Sequence, residues 1–461
     1  MNDRGAPPSR SSGGPGLPRL LLSLTLVGAL VGAFCWPLTL VDRLQDQLVG
    51  RLPAFSANPW SLPTLLLALT PLVAMPLILG LQAGIWPEGA SSGIPQTLIS
   101  LEDAEEAKSL LAPSATRQRV LLWSIASLAL FPLGREGPVV HLSAAVAQGL
   151  RRRWPALLSP LDRRDFLALL GGAGMASAFD TPLVGVMFMV EELSRRIDGG
   201  VIPAAMVVCA VAAEVNHWGG QPEFALAVLR GGEAELNQLA LALPIGLVAG
   251  LVGVGLSASI LRLSSLLGPL AKRRPLLLGL ALGLGLSGLC LLTGGMSSGD
   301  GERVMSRLLS QPQRGVGGPL VVVARLIGPS LCLGAGVPGG LIDPALALGA
   351  LVGQAIGEPF HAPLLGIALG LAAALAGATQ LPLVSVMFSL RLLGDQQWLP
   401  GVVLAGALGA GLSRLLGGRA IHHVLAERLR EQRLLERTRR SAPRLDGEAP
   451  PRSPEEAAPR P

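Results

Sequence analysis

The chain has 461 residues, of which 50% are hydrophobic, 15% are charged and 3% are aromatic, with no tyrosine. Because soluble domains carry about 25% charged residues, this composition excludes an ordinary soluble protein. The net charge of +6 does not indicate nucleic-acid binding, since the excess of arginine lies in the two tails. The scarcity of aromatic residues and of alternating strands excludes an outer-membrane barrel, so the predicted fold class is an all-α polytopic membrane protein.

The N-terminal part consists of a polar tail followed by apolar segments. Residues 1–18 are rich in Gly, Pro, Ser and Arg, and we predict that they are disordered. Residues 20–41 are long enough to span a bilayer, as are residues 61–85, which Pro71 and Pro76 interrupt. We expect no cleavable signal peptide. Further apolar stretches lie at 119–133, 166–190, 201–213, 238–261, 275–298, 319–356, 362–390 and 398–417.

The first candidate site is the stretch Ser91-Ser92-Gly93-Ile94-Pro95. A serine hydroxyl beside a glycine in a proline-bounded turn can open a helix and present its hydroxyl and backbone N–H groups to an anion. An ordinary helix N-cap produces the same pattern, so both interpretations stay open on these residues alone. In the polar segment 101–118 we expect a solvated face formed by four carboxylates, Glu102, Asp103, Glu105 and Glu106.

The second candidate site is Gly134-Arg135-Glu136-Gly137-Pro138, which joins two apolar segments. Ionisable residues at membrane depth are functional-site candidates. Pro138 suits the first turn of a helix, so we predict a helix that begins at Glu136-Gly137. Its free N–H groups and its dipole favour an anion there, and Glu136 brings its own carboxylate to the same place. A surface loop in which Arg135 and Glu136 are solvated is the alternative.

Residues 166–192 contain the run Gly171-Gly172-Ala173-Gly174 and end in Glu191-Glu192. No Gly-Lys-Ser/Thr follows the glycines, so close helix packing is favoured over phosphate binding. A solvated helix end is a good explanation for Glu191. Glu192 has a stronger case for a functional role, because the second copy of an internal repeat, described below, has no carboxylate at the equivalent position.

The second half of the chain repeats motifs of the first half in the same order. The sequence of residues 182–188, Pro-Leu-Val-Gly-Val-Met-Phe, recurs with one substitution at 382–388, an offset of 382 − 182 = 200. The spacing of Gly134 and Pro138 recurs as Gly340 and Pro344, an offset of 340 − 134 = 206. Membrane transporters are often built from such repeats, with the site at the repeat interface.

The two repeats differ at the ionisable positions. Glu136 corresponds to Ile342 and Glu192 to Leu392, so each carboxylate is kept in one repeat only. A structural role would be needed in both repeats, so this asymmetry favours a functional role. Asp343 is an unexpected charge in the glycine-bounded, proline-bearing stretch 334–344.

The apolar signal ends after residue 417. An amphipathic helix is predicted from 421 and carries His422 and His423, and we expect a disordered basic, proline-rich tail at 439–461. The cysteines have no metal-ligand spacing and are predicted to be small core residues: Cys35, Cys209, Cys290 and Cys332. We therefore expect neither a metal nor a cofactor.

These stretches resemble the loop signatures of the CLC family of chloride channels and chloride/proton antiporters: Gly-Ser-Gly-Ile-Pro, Gly-Arg-Glu-Gly-Pro and Gly-x-Phe-x-Pro. The second signature is complete at 134–138, the first has lost its leading glycine, and the third keeps only Gly340 and Pro344. The likeness covers roughly residues 20–435, with no regulatory nucleotide-binding (CBS) domains after it. It implies a CLC-type inverted-repeat bundle of tilted and broken helices over 19–435, with repeats at about 61–217 and 238–417 and a C-terminal helix at about 421–438.

The resemblance also implies roles for single residues. Glu136 matches the gating glutamate, and Glu192 matches the internal proton-transfer glutamate of the exchangers. Ser92 matches the serine that contacts chloride, and the family's pore-facing tyrosine aligns with His422, with Ile421 if the register shifts by one. The full set of implied anion-binding residues is Ser92, Gly93, Ile94, Arg135, Glu136, Gly137, Leu341, Ile342 and His422. Asp343 would repel chloride unless it points away, pairs or stays protonated.

The expected function is secondary-active exchange of chloride for protons. The alternatives are a passive voltage- or pH-gated chloride channel of the same fold, or an exchanger for another small anion. The intramembrane histidine His141 is isolated, so an intramembrane hydrolase is disfavoured and we predict that the protein is not an enzyme. The resemblance implies a homodimer. We expect a multi-pass protein of a prokaryotic plasma membrane with both termini cytoplasmic.

Overall fold

A computed structural model describes residues 17–56, 58–155, 161–220, 238–312, 318–394 and 396–441. Its described residues form helices joined by short loops, with one isolated antiparallel bridge between Gly134 and Gly340. The predicted tails at 1–18 and 439–461 lie almost entirely outside the described residues. The exceptions are residues 17–18, which open the first helix, and 439–441, which close the last.

The helices of the first half are α1 (Leu17–Val49), α2 (Leu62–Ala68), α3 (Thr70–Ala83), α4 (Ile94–Glu102), α5 (Ala104–Leu110), α6 (Pro113–Leu128), α7 (Glu136–Arg153), α8 (Arg163–Phe179), α9 (Pro182–Phe188) and α10 (Ile202–Trp218). A π-helical turn, Met189–Ser194, continues α9. The helices of the second half are α11 (Gln238–Arg273), α12 (Pro275–Leu292), α13 (Glu302–Ser310), α14 (Gly318–Gly334), α15 (Ile342–Gly357), α16 (Pro363–Thr379), α17 (Pro382–Leu393), α18 (Leu399–Leu415) and α19 (Ile421–Ser441). Short 3₁₀ turns lie at Pro87–Gly89, Glu358–Phe360 and Gln396–Trp398.

Four helical segments of the described chain are long and apolar enough to cross a membrane: Pro18–Val49, Leu62–Ala83, Leu239–Arg273 and Pro275–Leu292. Their outer surfaces expose leucine side chains, as on α12, where Leu277 and Leu284 are each 63% exposed. Shorter apolar helices such as α16 are buried inside the protein. This arrangement, with apolar residues both inside and outside, is that of a helical membrane protein.

Stripes of small residues let α15 and α16 pack in close contact. A Cβ atom on Gly349 or Gly353 of α15 would collide with the carbonyl oxygen of Gly370 or Gly366 on α16. The predicted packing role of the glycine run in α8 is confirmed in the same way, because a Cβ on Gly172 would lie 2.6 Å from a carbonyl oxygen of α9. Backbones in such contact need glycine on both helices.

The internal repeat is visible in the geometry. Helices α8 and α16 both end on a left-handed residue, Asp180 and Gln380, an offset of 380 − 180 = 200. A threonine or leucine then precedes the proline that opens α9 or α17. Gly134 and Gly340, which correspond at an offset of 206, exchange both backbone hydrogen bonds across an antiparallel bridge, at 3.1 Å and 2.8 Å. Equivalent segments that run in opposite directions are expected of an inverted repeat.

Some predicted boundaries are wrong. The first apolar helix extends from Leu17 to Val49 and not over 20–41, because polar residues such as Asp42 are buried on it against other helices. The second span breaks at Leu69, and Pro71 opens α3, but Pro76 lies inside α3 without ending it. Pro76 packs on Gly279 of α12, where a Cβ would collide with it. The four cysteines are free and buried, as predicted.

Candidate functional site

The loops that precede α4, α7 and α15 meet in the interior of the protein. A Cβ on Gly93 would lie 2.5 Å from the carbonyl oxygen of Gly137, and a Cβ on Gly137 would collide with Ser92 and lie 2.9 Å from the carbonyl oxygen of Gly339. The backbone N–H of Ser91 donates to the carbonyl of Gly336 at 2.8 Å. The starts of three helices therefore converge, and each presents free backbone N–H groups and a positive dipole end.

Glu136 is fully buried at the start of α7, and its carboxylate reaches across to the start of α15. Oε1 accepts the backbone N–H of Asp343 at 2.8 Å. The predicted helix that begins at Glu136 is confirmed. The alternative, a solvated loop, is wrong, since Glu136 is 0% and Arg135 only 3% exposed. A carboxylate thus sits at a helix N-terminus, where an anion would bind.

The position of the Glu136 carboxylate explains why two neighbouring positions are occupied by glycine. A Cβ on either Gly134 or Gly340 would collide with the carboxylate of Glu136. Gly340 has an ordinary backbone conformation, because it is not among the residues of positive φ. Glycine at residue 340 therefore leaves room for the carboxylate in its present position and is not needed for conformational freedom.

Ser92 supplies a hydroxyl without a partner. Its Oγ is buried and has no hydrogen-bond partner among the described residues. Gly93 has a φ of 114°, which glycine adopts readily, and Ile94 then opens α4 with its side chain fully buried. The hydroxyl and the first N–H groups of α4 are the donor set that an anion needs.

Leu341 and Ile342 are buried at the start of α15. The structure brings them to the Glu136 carboxylate, but the N–H that Glu136 accepts belongs to the next residue, Asp343. The sequence placed the contact on Leu341 and Ile342 by resemblance and did not identify Asp343 as the donor. The N–H groups of the first helical turn are all available for such bonds.

Asp343 lies beside Glu136 as a second buried carboxyl group. Its side chain is 3% exposed, and its backbone N–H is the group that Oε1 of Glu136 accepts. Oδ1 of Asp343 and Oε2 of Glu136 are buried without a partner among the described residues. Because neighbouring buried carboxylates repel each other when both are ionised, protonation of one of them would relieve that repulsion.

Arg135 was expected among the anion ligands. Its guanidinium lies 3.1 Å from Asp42 on α1, with both side chains buried, and it also donates to the carbonyl of Ala178. Asp42 further belongs to a set of three carboxylates, with Asp300 and Glu302, whose oxygens lie within 4.8 Å of one another. The charge of Arg135 is thus balanced by the protein itself, so its side chain has a structural partner.

Two buried arginines organise the loops, and the sequence reasoning missed both. Arg119 on α6 donates to the carbonyls of Glu88, Ala90 and Ser91 at 2.8–3.2 Å. Arg325 on α14 donates to the carbonyls of Met296, Ser298 and Gly299 at 2.7–2.8 Å. These arginines correspond at 325 − 119 = 206, the offset that also relates Ser91-Ser92-Gly93 to Ser297-Ser298-Gly299. That shared offset is the signal that could have found them.

A second acidic site lies on the π-helical turn after α9. Glu192 is 0% exposed, and its Oε1 lies 3.0 Å from Nδ1 of His422 and 3.6 Å from Nε2 of His423 on α19. π-Helical turns often mark functional positions. The sequence singled out Glu192 and His422 separately but did not pair them.

Glu191 does not form a solvated helix end. Its two carboxylate oxygens accept the backbone N–H groups of Leu383 and Val384, at 3.0 Å and 2.8 Å. It therefore caps the start of α17, the counterpart of its own helix in the second repeat. The adjacent carboxylates thus have different partners, since Glu192 faces α19.

The predicted solvated face at 101–118 is also partly wrong. Glu106 is buried and forms ion pairs with Arg433 and Arg437 of α19, at 2.6 Å and 2.7 Å. Glu102 pairs with Arg430 at 2.6 Å. Asp103 caps α5, and the N–H groups of Glu106 and Glu105 lower the pKa of its carboxyl group. Glu102 and Glu106 therefore hold α19 through ion pairs, and Asp103 caps α5, whereas Glu105 is exposed.

Comparison with known proteins agrees with this geometry. A model of the voltage-gated chloride channel family matches residues 74–414. The chain is 26% identical to the H(+)/Cl(-) exchange transporter ClcA of Yersinia pestis over 438 residues, which cover 90% of this chain and 88% of that protein.

Solved structures are also similar. A slow cyanobacterial Cl-/H+ antiporter superposes with a TM-score of 0.73 at 20% identity, over 91% of this chain and 99% of that one. A CLC-type fluoride/proton antiporter has a TM-score of 0.68 at 22% identity, over 86% and 95% of the two chains. The predicted fold, an all-α bundle of broken helices like that of these transporters, is confirmed.

Proposed function

This chain belongs to the voltage-gated chloride channel family, and from that premise we propose that it is a membrane transporter that exchanges chloride for protons. One observation carries the proposal. The Glu136 carboxylate occupies the start of α15, accepting the N–H of Asp343, so chloride and the carboxylate compete for the same helix ends. Protonation of Glu136 would remove its negative charge and release it, which links proton binding to chloride binding.

The proposed anion path uses partial charges. Its candidate ligands are Ser92, Gly93, Ile94, Arg135, Glu136, Gly137, Leu341, Ile342 and His422. The unpartnered hydroxyl of Ser92 and the backbone N–H groups at the convergent helix starts support the members at the starts of α4, α7 and α15, whereas the side chains of Arg135 and His422 are paired with Asp42 and Glu192. Helix ends hold an anion more weakly than a free Lys or Arg would, which favours release and therefore turnover.

We propose Glu192 as the second proton site. It is fully buried and lies on an element separate from the loop of Glu136. Buried carboxylates are typical of proton relays in transporters. Because the second repeat has Leu392 at this position, a purely structural demand of the fold is not the reason for a carboxylate here.

The proposal extends to organisation. It includes a transmembrane domain of residues 19–435, repeats at about 61–217 and 238–417, a homodimer, and a prokaryotic plasma membrane with both termini cytoplasmic. The arginines of α19 support the orientation, since Lys and Arg prefer the cytoplasmic side. A family of channels and transporters also supports transport over catalysis.

The competing functions are a passive chloride channel of the same fold and exchange of another small anion. The relatives named as H(+)/Cl(-) exchange transporters favour exchange over a channel. The similarity to a fluoride/proton antiporter makes exchange of another anion a competing proposal. Ser92, which matches the chloride-contacting serine, favours chloride.

The test is a flux measurement in liposomes that hold the purified protein. A chloride gradient is imposed, the voltage is clamped with a potassium ionophore, and the external pH is followed. We expect protons to move against their gradient, and we expect Glu136→Gln to abolish that movement while chloride still crosses. The exposed Glu105→Gln is the matched control and should behave as wild type. Unchanged proton movement in Glu136→Gln would overturn the assigned gate.

A further inference from the structure

The last helix, α19, brings two consecutive histidines to one buried carboxylate. Nδ1 of His422 lies 3.0 Å from Oε1 of Glu192, which is a hydrogen bond. Nε2 of His423 lies 3.6 Å from the same oxygen, just beyond hydrogen-bond distance. The following inference rests on the proposed function, because it concerns how Glu192 receives its protons.

Exposure differs sharply across the three residues. The side chains of Glu192 and His422 are 0% and 2% exposed, whereas that of His423 is 25% exposed. Glu192 therefore has no direct access to solvent in this conformation, and His422 offers none. Of the three, only His423 both contacts the surface and reaches the carboxylate.

The orientation of the His423 ring fits this position. Its Nε2 atom is buried and has no hydrogen-bond partner among the described residues, and the same is true of Oε2 of Glu192. The exposed quarter of His423 therefore belongs to the rest of the side chain. A movement of about 1 Å would bring Nε2 within hydrogen-bond distance of Glu192, and it would remove the cost of leaving buried polar atoms unpaired.

The cluster has charged neighbours besides its own three residues. Arg195, just after the π-helical turn, is a nearby cation that acts on both Glu192 and His423. The neighbouring carboxylate, that of Glu191, accepts hydrogen bonds from the backbone N–H groups at the start of α17. No other described carboxylate forms an ion pair with either histidine of the cluster, so Glu192 is their natural proton acceptor.

We propose that His423 loads Glu192 with protons from the solution at the face that carries α19, while His422 positions the Glu192 carboxylate. In the transfer, the N–H bond at Nε2 of the His423 imidazolium breaks and an O–H bond forms at Glu192. The imidazole is left neutral with its remaining proton on Nδ1, and rotation of the ring then brings Nε2 to solvent, where it takes up the next proton. Histidine suits this role because its ordinary pKa lies close to neutral pH.

The test compares proton and chloride fluxes of His423→Gln with those of wild type in the same liposomes. We expect the ratio of protons to chloride to fall by about tenfold or more, since a positioned proton-transfer group commonly contributes at least that factor. Chloride flux should persist, which also shows that the variant is folded. His361→Asn is the control, because His361 is an exposed histidine in a left-handed turn that asparagine tolerates.

A rescue experiment separates proton transfer from a structural role. His423→Ala leaves space for a small base, so imidazole added to the buffer should restore proton flux in this variant. It should not restore proton flux in Glu192→Gln, where the acceptor itself is missing. A histidine that only held α19 in place would not be replaced by a dissolved base.

The outcomes distinguish the two proposals. Coupled transport by wild type with an unchanged proton-to-chloride ratio in His423→Gln would overturn the role of His423 alone. Chloride flux without proton movement in wild type would overturn the exchange proposal, and the relay with it.

Discussion

Replacing Gly340 by alanine should displace the Glu136 carboxylate from the start of α15. An added Cβ at residue 340 would collide with Oε2 of Glu136. Gly340 is not a residue of positive φ, so alanine brings no backbone strain, and both bonds of the bridge to Gly134 are made by backbone atoms. The substitution therefore acts on the position of the carboxylate.

The size of the effect follows from the contact that is lost. The carboxylate would give up its 2.8 Å hydrogen bond from the N–H of Asp343. Hydrogen bonds to charged groups contribute about 1.5–3 kcal/mol, so the displaced position would gain about 10- to 100-fold in relative population. Chloride would then meet less competition at the helix ends, and Glu136 would deliver fewer protons for each chloride that crosses.

The assay is the paired chloride and proton flux in liposomes. Gly340→Ala should keep or raise chloride flux and lower the number of protons moved per chloride. Gly149→Ala is the control, since it lies on α7, the helix of Glu136, and its added Cβ meets nothing within 4 Å. A wild-type ratio of protons to chloride in Gly340→Ala would refute the idea that the carboxylate position controls coupling.

Three further predictions concern His422, the helix contacts and a helix cap. His422→Gln keeps a hydrogen-bond donor for Glu192 and should retain most proton coupling, whereas His422→Leu should lose it. The measurement is the number of protons moved per chloride. An equal loss in both variants would show that the imidazole does more than position Glu192. Gly353→Ala should destabilise the protein by about 1–3 kcal/mol, because the added methyl group would collide with the carbonyl of Gly366. A melting temperature in detergent equal to that of wild type would contradict this close packing. Asp103→Ala should destabilise the protein by about 1 kcal/mol, because α5 loses its N-terminal cap. The bonded N–H groups lower the pKa of Asp103, so the stabilisation by its carboxylate is present above the ordinary pKa and is lost only as the pH falls through the lowered pKa. The difference in melting temperature between variant and wild type should therefore shrink in acid.

The sequence predicted the parts of the site that depend on local chemistry. Proline in a first turn predicted the start of α7, and the glycines around two ionised residues marked a candidate site there, with a solvated loop as the alternative that the burial of Glu136 then excluded. The repeat offset of 206 related Gly134 to Gly340, and these glycines then proved to face each other across the bridge. Such features are encoded within a few residues, or in a comparison of the chain with itself.

The sequence did not predict the partners of the buried charges. Glu106 was expected in solvent, yet its ion pair with Arg433 joins residues 327 positions apart. Glu191 caps a helix that begins nearly two hundred residues later. Periodicity identifies which face of a helix is polar, but it does not say which distant element covers that face. Those contacts depend on the packing of the whole bundle.

The arrangement of the repeats explains why the acids occur once each. The inverted duplication brings equivalent loops together, so the start of α15 offers N–H groups to whatever α7 presents. A carboxylate at position 342 would add a third acid at the same bridge, where like charges repel, because the buried carboxyl group of Asp343 already lies one residue further along the chain. Glu192 takes its partners from α19, which follows the proposed second repeat. Symmetry therefore supplies the frame of the proposed anion path, and each proposed proton site depends on a contact that the symmetry does not duplicate.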